Sequence, residues 1–261
     1  MGRIIAIANQ KGGVGKTTTS INLAACLAER NKKVLAVDMD PQGNLTSGLG
    51  IDKNSLSQTI YDAMCGECNI GECMVVRPLG SKLDISVLPA SRELAGAEVD
   101  FMEYERPQYI LKELLAKIKD KYDFIIIDCP PALGMLTVNS MTAANTVLVP
   151  IQCEFFALDG LKHMIYTINI IKKKLNKQLE IEGVVFTMYD SRTNLSLEVV
   201  ENVKENLDQF IYKTIIPRNV RLAEAPSFGL PINLYDTRSA GAQGYRDLAA
   251  EVIKNKLYAN L

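Results

Sequence analysis

The chain has one histidine, His163, almost no net charge and no long apolar run, and each shortage removes a class of function. A single histidine leaves no Ser-His-Asp arrangement to argue for, so hydrolase chemistry of that kind drops out. The longest apolar stretches, Phe124 to Ile127 and Thr146 to Ile151, fall far short of the roughly 18 residues that a membrane-spanning helix requires. At the amino terminus only Arg3 precedes a short apolar run ending at Asn9, without the apolar length or small-residue cleavage site of a signal peptide. The expectation is a cytoplasmic protein with no membrane span. Six cysteines without an export signal read as reduced thiols rather than a disulfide framework. With 29 Lys+Arg against 30 Asp+Glu, the net charge of -1 exerts no global pull on DNA or acidic lipid, so any such binding must be local. Residues 1–159 carry 15 basic and 19 acidic side chains and residues 160–261 carry 14 and 11. A basic patch is therefore to be sought in the carboxy-terminal part. Internal repeats, low-complexity stretches and Pro/Ser-rich linkers are also missing, and one domain over residues 1–261 is expected.

What is present is an alternation. Arg3 to Asn9 is an apolar run ending in a Gly-rich turn, and Lys16 to Glu29 then reads as a helix with Ile21, Leu23, Ala24 and Leu27 at its apolar positions. Val34 to Val37 and Phe124 to Ile127 are buried-strand candidates that finish on Asp38 and Asp128. Further strands are expected at Val147 to Ile151, Ile181 to Thr187 and Ile211 to Ile216, separated by helices around Leu158 to Leu175 and Leu195 to Leu207. The pattern predicts an α/β fold, a mostly parallel sheet with helices on both faces. Ligands of such sheets sit beyond the carboxyl ends of the strands, where the motifs collect.

The segment Lys11-Gly12-Gly13-Val14-Gly15-Lys16-Thr17-Thr18 has the chemistry of a phosphate cradle. Its glycines let the backbone curl so that successive amide N–H groups face phosphate oxygens, and the following helix presents its positive end. Lys16 adds a mobile charge for the outer phosphates, and Thr17 has the hydroxyl expected on magnesium. The common pattern G-x-x-x-x-G-K-[ST] would place glycine at position 10; this chain has Gln10, followed by Lys11.

That loop, followed by Asp38-Met39-Asp40-Pro41-Gln42-Gly43-Asn44 and Ile127-Asp128-Cys129-Pro130-Pro131, resembles the deviant Walker A ATPases, and within them the ParA/Soj chromosome-partitioning proteins. Pro217-Arg218-Asn219-Val220-Arg221 and Glu224-Ala225-Pro226-Ser227 extend the likeness over nearly the whole chain. The resemblance implies ATP and Mg2+ as ligands and Lys11 as a signature lysine that reaches across a dimer interface to the partner's ATP. A cation delivered in trans stabilises charge on the transferring phosphoryl group, as an arginine finger does, and ties hydrolysis to dimer formation.

Further roles follow from the same resemblance. Asp40 is expected to orient the attacking water, Asp38 to support the metal's water shell, and Asp128 to hold a magnesium ligand through Thr17 or a water. Pro130 and Pro131 stiffen the turn where a phosphate-sensing switch would lie. Pro217 and Asn219 occupy the loop expected against adenine, although Asn219 also suits a helix cap. Arg192 and Arg221, with Arg218 a weaker candidate, match positions implicated in non-specific binding of double-stranded DNA by the ATP homodimer. The implied partners are a ParB-type centromere-binding protein that stimulates hydrolysis and, as a second regulatory target, the replication initiator DnaA. The implied location is the nucleoid.

Other segments are weighed against blander uses. Lys172-Lys173-Lys174 with Lys177 reads as a solvated helix end, where cations are favoured by the dipole. Cys65, Cys68 and Cys73 have C-x2-C-x4-C spacing that could offer thiolates to zinc or an iron-sulfur cluster. No fourth ligand is evident nearby, and ordinary thiols are the preferred reading, as is a packing role for Cys129. Leu248, Val252, Ile253 and Leu257 form an apolar face on the last helix, which raises a MinD-like membrane-cycling alternative. Asp247 and Glu251 among Lys254 and Lys256 dilute attraction to anionic lipid, so core packing is expected instead. A nitrogenase-type reductase would need paired Cys-Gly motifs after the Walker B strand, and a synthase or kinase would need a second substrate pocket; neither is readable.

Overall fold

Short runs of branched apolar residues without polar alternation suit strands buried on both faces, as in a parallel sheet covered by helices. The computed structural model, which describes residues 2–80 and 84–255, places them there. The strands are β1 Arg3–Ile7, β2 Val34–Asp38, β3 Val75–Pro78, β4 Asp84–Leu88, β5 Phe124–Asp128, β6 Thr146–Gln152, β7 Glu180–Tyr189 and β8 Ile211–Pro217. They form one eight-stranded sheet in the order β3-β4-β2-β5-β1-β6-β7-β8. Only β3 runs antiparallel to its neighbour. The two strands that sequence reading left out, β3 and β4, are this edge hairpin. β3 alternates half-buried and exposed positions and so lacks a continuous apolar run.

The helices are α1 Lys16–Glu29, α2 Asn44–Gly48, α3 Ile60–Cys65, α4 Ala97–Asp100, α5 Ile110–Ala116, α6 Met135–Ala143, α7 Ala157–Lys174, α8 Asn194–Asn206, α9 Val220–Glu224, α10 Ile232–Tyr235 and α11 Ala240–Lys254. Because successive strand residues point to opposite faces, the sheet feeds two cores. Ile4, Leu35, Val37, Ile125 and Ile127 pack with Phe101, Leu115 and Met164 on one side. Ile5, Ile7, Ala36 and Ile126 pack with Leu23 and Leu27 of α1 and Leu248 and Val252 of α11 on the other. The apolar face of the last helix is thus spent inside, with Ile253 packed at its margin; Lys256 and Leu257 lie outside the described residues. Among the described residues no helix is long and apolar enough to cross a membrane.

At the amino end of the sheet the fully buried Glu182 of β7 accepts hydrogen bonds from Thr146 Oγ1 and the Tyr212 hydroxyl, each at 2.7 Å, and from Asn255 Nδ2 at 3.0 Å. It also pairs with Arg3. One carboxylate therefore ties β1, β6, β8 and the end of α11 together. Removing one partner of a buried ion pair is far costlier than the pair is worth, because the other is left desolvated. Glu182→Ala is expected to destabilise the fold by about 3–5 kcal/mol, read as a lowered midpoint in urea unfolding.

Candidate functional site

The carboxyl ends of β1, β2 and β5 meet the amino end of α1. Gly13 and Gly15 have φ of 75° and 87°, a left-handed region that costs other residues but not glycine. A Cβ built on Gly12 or Gly13 would meet nothing within 4 Å, so the loop's inner face is open to an approaching ligand. The loop is pinned at both ends. Asn9 Nδ2 donates to Pro150 O at 2.8 Å, while Lys11 N donates to Asn9 Oδ1 at 3.0 Å. From β7, Thr187 Oγ1 donates to Val14 O at 2.9 Å. Neither pin was read from the sequence: Asn9 stood only as the end of the first apolar run and Thr187 as a strand end, and only the fold shows what each holds.

Lys16 curls back over the loop, its Nζ donating to Lys11 O at 3.0 Å. Its side chain is buried, and that burial lowers its pKa, while Asp128, Cys129 and Asp40 pull it back up. A cavity of about 670 Å³ opens above, lined by Gly12 to Thr18 glycines and hydroxyls, Lys16, Asp40, Pro130 and Pro131. A second cavity of about 500 Å³ shares Gly15, Thr18 and Met188 with it and is walled by Ile216, Pro217, Asn219 and Tyr245. A chamber over the glycine loop joined to a slot walled by Pro217 and Asn219 is the shape of a phosphate tail joined to a flat ring. Met188, at their junction, holds φ of 52°, a strained setting for a non-glycine residue and one that clusters at ligand sites. Asn219 also caps α9, its Oδ1 accepting from Arg221 N at 2.8 Å. The slot and the cap therefore coexist.

Below the cradle lie three aspartates. Asp38 and Asp128 are register partners on adjacent strands and are both fully buried. Asp38, expected to support the metal's water shell, has both oxygens bonded by the loop that follows it. Thr46 N and Oγ1 donate to Oδ2 at 2.8 and 2.6 Å, and Asp40 N donates to Oδ1 at 3.2 Å. The chain curls after β2 instead of staying extended, so Asp38 braces the loop that carries Asp40, and Asp40 alone of the two lines the cavity. Asp128 Oδ1 accepts from Ser20 Oγ at 2.9 Å, whereas its buried Oδ2 has no hydrogen-bond partner. A desolvated, unmatched carboxylate oxygen below the Thr17 position fits a hydrated cation, which keeps most of its waters when it is magnesium. Among the described residues no three His, Cys, Asp or Glu side chains gather to hold a metal directly, so any ion here relies on Thr17, ligand oxygens and water.

Burial, then the neighbouring Asp38 carboxylate, pushes the Asp128 pKa up to about 8, against the Thr17 and Ser20 hydroxyls. Burial likewise raises Asp38 to about 6, against its bonds from Thr46 and Asp40. Both folded values exceed the unfolded one, so the native state holds more protons and stability falls as pH rises. The decline is expected to begin near the ordinary carboxyl value of about 4 and to end as pH passes about 8. A urea-midpoint series against pH checks this; Asp128→Asn should flatten it.

Lys11 does not line its own cavity. Its Nζ pairs with Glu154, in the loop after β6, both side chains being close to half exposed at 45% and 44%. Arg192 is exposed, with Nε and Nη2 bonded to Asp190 Oδ1 and Oδ2 at 2.8 and 2.7 Å. Arg221 pairs with Glu224 at 2.8 Å and lies 3.7 Å from Asp236. Arg192 and Arg218 border the slot, so these arginines share the end of the molecule that bears the cavities. Lys172 pairs with Glu180 at the end of α7, and Cys129 is buried in the core.

Residues 2–181 match a family described as an AAA domain. Over 255 residues the chain is 52% identical to the sporulation initiation inhibitor protein Soj of Bacillus subtilis (strain 168), covering 98% of this chain and 100% of that protein. It is 48% identical over 254 residues to the chromosome partitioning protein ParA of Myxococcus xanthus (strain DK1622), covering 97% and 89%. Among solved structures, cobyrinic acid a,c-diamide synthase from Mycobacterium smegmatis with bound ATP analogue and magnesium superposes with a TM-score of 0.87 at 36% identity, covering 100% of this chain and 98% of that one.

Proposed function

The chain belongs to the ParA/Soj family of P-loop ATPases, and from that premise we propose that ATP closes two copies into a dimer that holds DNA without sequence preference and releases it on hydrolysis. It is an ATPase of the partitioning type, working with ATP and Mg2+. In this reading Gly12 to Thr18 cradle the phosphates through backbone amides, with Lys16 on the outer phosphates. Thr17 would hold the magnesium, with Asp128 acting through Thr17 or a bound water, and the ion would neutralise phosphate charge. Asp40 orients the attacking water, and Asp38 fixes Asp40. Pro217 and Asn219 border the adenine.

The observation that carries the reading is the outward setting of Lys11. A cation inside a phosphate loop that lines none of its own cavity and sits half exposed beside Glu154 supports the reading that it serves a second copy. Arg192, Arg221 and Arg218 form the DNA face. A ParB-type protein stimulates hydrolysis through a basic amino-terminal segment, DnaA is a second regulatory target, and the ATP dimer resides on the nucleoid. The membrane-cycling alternative needs an exposed apolar face on the last helix, and Leu248 and Val252 are buried instead.

The deciding experiment is gel filtration and DNA binding of the Asp40→Ala protein with ATP, with ADP and without nucleotide. A DNA-binding dimer with ATP alone supports the reading; equal binding in all three states overturns it. Turnover without a second substrate is also expected, unlike a synthase. Because DNA phosphates must displace Asp190 and Glu224 from the arginines, Arg192→Ala and Arg221→Ala are each expected to weaken binding uniformly across sequences and to reduce the salt slope by about 1 per copy. Fluorescence anisotropy over a salt series measures it, and an unchanged slope removes those residues from the interface.

A further inference from the structure

Cys65, Cys68 and Cys73 take no part in the nucleotide site. Cys65 ends α3, whose cap Gly66 has φ of 80° and turns the chain back. Beyond it Asn69 N donates to Glu72 Oε2 at 2.9 Å and Glu72 N to Asn69 O at 2.8 Å, while the buried Ile70 anchors the loop in the core. This closed turn brings Cys68 Sγ and Cys73 Sγ to 3.0 Å. Cys73 is buried and Cys68 half-buried. The Cys65 thiol lies instead beside Tyr61, and among the described residues the three thiols do not gather as a metal-holding group.

We propose that Cys68 and Cys73 form a dithiol modification site that a small disulfide converts into an intramolecular disulfide. The reachable Cys68 thiolate attacks one sulfur of the reagent, whose S–S bond breaks and whose other half leaves as a thiolate that takes up a proton. Cys73 then gives up its proton and attacks Cys68 Sγ, and the second half of the reagent departs as a thiol. Two protein thiols are oxidised to one disulfide and the reagent's disulfide is reduced to two thiols.

Burial, then the contact with Cys68, pushes the Cys73 thiol up to about 12. Cys73 therefore stays protonated and reacts second. The turn already holds the sulfurs together, so ring closure costs little chain entropy. Between Lys53 and Arg77 the chain has no Lys or Arg but carries Asp62, Glu67 and Glu72, and Asp62 acts on Cys73 directly. A cationic disulfide is accordingly favoured over an anionic one.

The test treats the fully reduced whole chain with cystamine or with oxidised glutathione, then alkylates and maps thiols by mass spectrometry. Cys68 and Cys73 should disappear together as a linked peptide, Cys65 should remain alkylatable, and cystamine should react about tenfold faster or more. Cys73→Ser should stop at a mixed disulfide on Cys68, and Cys65→Ser should change nothing. A stable mixed disulfide on Cys68 in the unaltered chain, a bridge to Cys65, or no reaction at either thiol would overturn the proposal. Equal rates with the two reagents would remove its electrostatic part.

Discussion

A Lys11→Ala protein is expected to turn ATP over about 10³-fold more slowly or worse, the scale of losing a trans-acting cation in phosphoryl transfer, while still binding ATP. Binding should survive because Lys16, the loop amides and Thr17 line the cavity and Lys11 does not. The same substitution should abolish dimerisation driven by ATP. Mixing separates a lysine acting across the interface from one acting in its own site. Combined with Asp40→Ala protein, Lys11→Ala protein should regain turnover, since a mixed dimer has one cavity with its own Asp40 and the other copy's Lys11. If each lysine served its own cavity, no site in the mixture would be complete and turnover would stay at the level of the single variants.

Asp40→Ala is expected to lower kcat by about 10²–10⁴, the range for a positioned base or water-orienting group, with ATP binding and dimerisation retained. The basis is positional. Asp40 is the one aspartate of the three that lines the cavity, and its loop is held rigid by Asp38 through Asp40 N and Thr46. One of its oxygens is fixed by Gln42 N at 3.0 Å. Single-turnover kinetics with nucleotide binding measured separately would distinguish the roles: a lost ATP affinity with unchanged turnover of bound ATP would make Asp40 a binding residue and not part of the chemistry.

Much of the site was legible because its chemistry is local. A cradle needs glycines, a lysine and a hydroxyl in one contiguous segment, and the strand-then-aspartate pattern follows from runs buried on both faces. The helix Lys16–Glu29 and the strands through Asp38 and Asp128 lie where periodicity put them. The edge hairpin was not legible, because a half-exposed edge strand has no continuous apolar run. Thr187, Ser20, Thr46 and Glu154 carried no signal either. A threonine or serine is common everywhere, and only its partner, far away in sequence, makes it a pin for the loop or a brace for an aspartate.

By itself, then, the sequence determined the parallel α/β sheet, the phosphate loop from Lys11 to Thr18 and the kinship that loop declares, because short-range spacing and apolar periodicity suffice for these. The tertiary structure alone decided that Thr46 and Asp40 N occupy the Asp38 oxygens while Asp40 lines the cavity, that α1 is what the expected core face of the last helix meets, and that Lys11 turns out toward Glu154. Each depends on which atoms distant segments bring within hydrogen-bonding or packing distance, and spacing along one chain does not encode that.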